Sequence, residues 1–124
     1  MSLRHMLNSV CLSLVLCSCA VQQTPAVISL VPAGDSVERT LASALAIQLN
    51  TGYHRTLKVG SHWRQIGSVP QGAVYKPYLD VFTIEGAHIH EAYLVVESAM
   101  LVGFYLPAER SYVSLNQRKS ILFN

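Results

Sequence analysis

The chain has 124 residues, with nine Lys and Arg against seven Asp and Glu, and 51% of its residues are hydrophobic. That length suits one small domain, and the dispersed, nearly balanced charge excludes the one-faced basic footprint of a nucleic-acid binder. All three cysteines fall within the first nineteen positions, so no internal disulfide framework can staple the rest.

Residues 1–8 carry Arg4 and His5 and no acid, and they precede an apolar run over residues 10–16. A membrane-spanning helix needs roughly 20 apolar residues, so this run has the proportions of a signal-peptide core. It ends in Leu16-Cys17-Ser18-Cys19: a branched aliphatic, a tolerant position, a small residue and a cysteine. This resembles the lipobox of bacterial lipoproteins.

The resemblance implies a type II signal peptide over residues 1–18, cleavage after Ser18, and a diacylglyceryl group on the thiol of Cys19, whose freed amine is then acylated, typically with palmitate. Cys17 fits poorly as an alternative, because bulky Leu16 stands where a small residue is required. A single acyl chain anchors a protein only marginally, whereas two or three hold it lastingly. Ala20 stands where enteric lipoproteins carry a retention aspartate, so the resemblance implies the outer membrane, facing the periplasm, if the source is Gram-negative. Cleavage leaves 106 of the 124 residues.

Residues 19–34 read as the lipidated cysteine and a flexible tether. Gln22-Gln23-Thr24-Pro25 and Pro32-Ala33-Gly34 punctuate the tether, and Val27-Ile28 and Leu30-Val31 are the only apolar pairs, available to add an edge strand. Residues 35–124 then form one domain. Asp35-Ser36 with Glu38 has capping-box character, and Val37, Leu41, Leu45 and Leu49 recur every four residues up to Asn50-Thr51-Gly52. This spacing predicts a helix over 35–49 with one apolar stripe.

From Tyr53 onward, β-branched and aromatic residues between Gly and Pro predict strands near 56–59, 62–69, 73–75, 80–84, 92–97, 101–106 and 120–123. The runs 93–96 and 101–106 form the strongest hairpin. Neither alternates with polar residues, so both faces should be covered. The expected fold class is α+β, one N-terminal helix packed on an antiparallel sheet of five or six strands; the alternative is a small curved β-barrel or sandwich with the helix plugging one end.

His88 and His90 fall on one side of a strand, half of a zinc or copper set that His54, His62 or Glu85 would complete. The spacing fits a wet connection between strands equally well. Glu85 and Glu91 are a carboxylate pair available for acid–base work, but nothing resembles a nucleophile elbow, and the scattered glycines form no phosphate cradle. No cofactor is implied. Among the aromatics, Trp63 and Tyr78 are the first candidates for an exposed partner-binding patch. Arg118-Lys119 suit an edge strand kept unpaired by charge.

These features point to a membrane-anchored envelope lipoprotein with a non-catalytic partner-binding or structural role. Its partners would be the membrane, through Cys19, and an envelope protein. A small module sequestering a ligand, a metal or an enzyme, and a cryptic hydrolase, are the alternatives.

Overall fold

The computed structural model describes residues 20–124, so the lipobox-like Leu16-Cys17-Ser18-Cys19 and the lipidation of Cys19 lie outside the described residues. In chain order the elements are β1 (Thr24–Pro25), β2 (Ser29–Leu30), a 3-10 turn (Ala33–Asp35), β3 (Glu38–Thr40), β4 (Leu45–Gln48), β5 (His54–Leu57), β6 (His62–Val69) and β7 (Gly72–Pro77). They continue with β8 (Thr83–Glu85), β9 (Ile89–Glu91), β10 (Tyr93–Glu97), β11 (Met100–Leu106) and β12 (Ser111–Ser120).

Five strands form an antiparallel sheet in the order β12-β11-β10-β7-β6, with β1 on the outer edge of β12 and β2 and β3 on the outer edge of β6. Only Ala26, Val27 and Ile28 separate β1 from β2, a step of about 14 Å at full extension. In a flat sheet β12 and β6 alone would lie about 19 Å apart. The sheet therefore curls until one bent N-terminal strand serves both edges. Ala26 and Ile28 face inward onto Val69, Val74, Tyr93, Val95, Val102 and Tyr105, while Val27 points out, 84% exposed. Gly67 makes this closure possible, because a Cβ there would collide with the Ser29 carbonyl.

The opposite face carries the larger core, in which Leu94, Leu101, Phe104 and Leu106 are fully buried. A second layer covers it: the β4–β5 hairpin, the β8–β9 hairpin and the tail 121–124. Bridges at Leu49–Leu115 and Leu41–Phe123 attach this layer to the sheet. Burial on both faces is why β10 and β11 show no polar alternation.

The fold class is therefore nearly all β, and the expected N-terminal helix is absent among the described residues: no helix packs on the sheet or plugs an end of it. The misleading signal is arithmetic. A repeat of four satisfies a helix and, being even, also places residues on one face of a strand. Alternation decides the matter, because Leu45, Ile47 and Leu49 turn inward while Ala46 and Gln48 stay exposed. Ser36 does not cap a helix; its hydroxyl donates back to the Ala33 carbonyl at 3.3 Å.

Much of the stretch expected to be a free tether is also sheet. Thr24 and Pro25 pair with Tyr112 and Ser111, Ser29 and Leu30 pair with Ser68 and Gly67, and Val21 is buried.

Candidate functional site

A cleft of about 650 Å³, within the usual range of ligand pockets, opens beside β5. One wall is β5 with its continuation to Lys58; the other is the β7–β8 connection, residues 78–82. Trp63, 3% exposed, and Phe82, 6% exposed, form its floor, their rings edge-to-face with centroids 5.7 Å apart. The Trp63 indole N–H donates to the Ser61 hydroxyl at 2.9 Å.

Cations are stacked on these aromatics. The Arg55 guanidinium lies 4.3 Å from the Phe82 ring centre and donates to the Thr83 carbonyl across the base of the cleft. The Arg64 guanidinium lies 4.4 Å from the Tyr78 ring centre. At the far end, the Glu38 carboxylate lies 3.2 Å from His62 Nδ1.

The rim is apolar and strained. Leu79 is 89% exposed at φ 55°, a left-handed conformation that costs a non-glycine residue on the order of 1 kcal/mol. Val81 is exposed beside it, and Val59 is exposed at the turn that follows β5. Backbone strain combined with apolar exposure is characteristic of functional loops.

The two aromatics singled out from the sequence do meet here, though not as a surface patch. Trp63 belongs to the core, because on β6 it turns toward the second layer opposite Pro77. Tyr78 is half-buried beneath Arg64.

His88 and His90 lie on the β8–β9 hairpin with ring centres 6.4 Å apart. His88 is exposed, whereas His90 is buried and its Nδ1 lies 2.6 Å from the Glu109 carboxylate in the β11–β12 connection. Among the described residues no group of three or more His, Cys, Asp or Glu is arranged to hold a metal ion. His62 is occupied with Glu38 and Thr40, His54 stands exposed on β5, and Glu85 is exposed at the end of β8. Glu91 accepts from the Tyr93 hydroxyl at 3.3 Å. Burial and then the Glu91 charge push Tyr93 up to about 12. Burial also raises Tyr112, whose hydroxyl donates to the Val102 carbonyl at 2.9 Å.

Arg55 and Glu109 escaped the sequence reading. Glu109 is nineteen residues from its histidine, and no local pattern ties the two. Arg55 sits between His54 and Thr56 in a short polar run that reads as surface.

Set against known proteins, the chain matches no family model, no curated protein and no solved structure. Among the described residues no helix is long and apolar enough to cross a membrane.

Proposed function

We propose that the protein is a lipid-anchored envelope protein that binds another protein without catalysing a reaction on it. The observation that carries the binding role is the cleft beneath Leu79 and Val81, where exposed apolar side chains border an aromatic floor flanked by cations. Large exposed apolar side chains beside a concavity are characteristic of interaction sites.

The anchor rests on the run Leu16-Cys17-Ser18-Cys19. Val21, two residues beyond Cys19, is already buried, and β1 begins at Thr24. With fatty chains on Cys19, a connection of about 7 Å would hold the sheet against the bilayer surface. The domain would then act close to the membrane and engage partners lying in it or on it.

The test of the anchor is a pair of variants in a cell that exports the protein. Cys19→Ser abolishes labelled palmitate incorporation and releases the chain from the membrane fraction, whereas Cys17→Ser leaves both unchanged. An unprocessed N-terminus, or a bare thiol at Cys19, in the mass spectrum of the exported form would sink this reading.

A further inference from the structure

β5 is an unfinished edge. Its register with β4 sums to a constant, and Leu49 N–H donates to the Tyr53 carbonyl at 2.9 Å. In an antiparallel ladder hydrogen-bonded and non-bonded pairs alternate, so Arg55 and Leu57 spend their backbone groups on β4. The N–H and C=O of His54 and Thr56 turn the other way. Among the described residues no backbone bond reaches them. Thr56 lines the cleft, with residues 79–82 as the opposite wall.

An unpaired strand edge beside an apolar-rimmed slot is the arrangement that binds extended peptides by strand addition. Charge narrows the occupant. Lys58, which continues β5, has no acidic partner among the described residues, and the Asp80 carboxylate stands on the opposite wall, so the charge beside the free edge is positive. Lipid tails cannot satisfy the outward N–H and C=O groups.

We infer that the cleft takes an extended peptide segment of a partner protein as an added strand on β5, pairing with His54 and Thr56, with an apolar side chain against Leu79 and Val81 and an acidic one at Lys58. This inference rests on the binding reading above and names its partner chemistry; it is independent of the anchor.

Trp63 is the only tryptophan, so its emission reports the cleft in the whole protein. The probe is a blocked seven-residue peptide of alternating valine and threonine with one aspartate, and its control is the same peptide N-methylated at alternate amides. Saturable change in Trp63 emission at up to millimolar peptide, weakened at least about tenfold by N-methylation, is the expected result. Thr56→Pro removes an outward N–H that β4 does not use, a position where an edge strand tolerates proline. It should fold as the parent does by far-UV circular dichroism and lose about tenfold in affinity. Lys58→Glu should lose about 2- to 5-fold, and regain it with a lysine in place of the aspartate.

No saturable change, or equal responses to the two peptides, overturns the inference. So does an emission change without peptide that follows protein concentration, which assigns the edge to a second copy, or one that follows anionic phosphatidylglycerol vesicles, which assigns the rim to lipid. Peptide binding by a protein found unlipidated leaves this inference standing and removes only the anchor. A lipidated protein that ignores the peptide does the reverse.

Discussion

The β10–β11 hairpin and the β5 wall of the cleft are both antiparallel, but one is a run of apolar residues and the other is mostly polar, and they reach opposite states. In the hairpin every backbone edge is paired, by β7 on one side and β12 on the other, and Leu94, Val95, Leu101, Phe104 and Leu106 are fully buried. In β5 only Leu57 is buried, and one backbone edge ends in solvent. Stability resides in the first region, and unused backbone hydrogen-bonding capacity in the second. Strands covered on both faces and both edges define the fold. A strand covered on one face and one edge is free to recruit something else.

The sharpest way to break this contrast is to hollow out the first region. Phe104 stacks on Phe82 with ring centres 5.7 Å apart at the meeting of the sheet and the second layer. Phe104→Ala should cost about 3–5 kcal/mol, read from the urea midpoint at constant slope. The exposed Val27, on the closing strand, should tolerate alanine within about 0.5 kcal/mol. Equal losses at the two positions would mean that the burial contrast does not govern stability.

Next in size is Gly103. A Cβ there would collide with the Val113 carbonyl and stand 2.7 Å from two ring atoms of Tyr112, which packs over the glycine. Gly103→Ala should cost about 1–3 kcal/mol through overpacking, and Tyr112→Ala should recover only the smaller part of that cost, because the Val113 carbonyl, the nearer obstacle, stays in place. A double-mutant cycle measures that coupling. No coupling would show that the backbone carbonyl alone makes the obstruction.

These same residues show how much of the fold was legible and why the rest was not. The β10–β11 hairpin is plain in the sequence because two uninterrupted apolar runs flank a short polar link, a pattern that few folds can hide. Residues 35–49 were misread because a spacing of four is shared by helix and strand, and only the inward Ile47 between Leu45 and Leu49 separates the two. β12 was missed because the short alternation of Ser111, Val113 and Leu115 runs straight into the polar Asn116-Gln117-Arg118-Lys119, of which only Lys119 has a register partner, Leu101, across an irregularity in the ladder. The cleft shows the same limit. Trp63 and Tyr78 could be singled out as aromatics, but their burial depends on β7 and the loop that follows it. The free edge of β5 is a property of sheet order, which no local pattern carries.

A third prediction concerns pH and the hairpin side of the contrast. Burial and Glu91 hold the Tyr93 hydroxyl protonated up to about 12, above the ordinary tyrosine value of 10.0. A pKa raised by folding contributes stability that is complete below the unfolded value and is lost as pH rises through the folded one. Stability should therefore fall between about pH 10 and 12. Tyr93→Phe should flatten that decline while leaving stability at pH 8 little changed. An identical alkaline limb in the variant would place the titration elsewhere.

Both regions contain a left-handed residue, and relieving it should have the smallest effect. Ser98 and Ala99, at φ 50° and 60°, form the two-residue β10–β11 turn, and Leu79 stands at φ 55° on the cleft rim. Two-residue hairpin turns need positive φ to match the twist of the strands, and glycine meets that need without steric cost. Ala99→Gly should thus stabilise the protein by about 0.5–1 kcal/mol, and Leu79→Gly by a similar amount, both read from melting temperature. Function should separate them. The turn substitution leaves peptide-dependent Trp63 emission unchanged, while the rim substitution removes the side chain that overhangs the cleft and weakens the response. If both variants gain stability and neither alters the response, the strain at Leu79 belongs to the loop's path alone and plays no part in closing the slot over a bound chain.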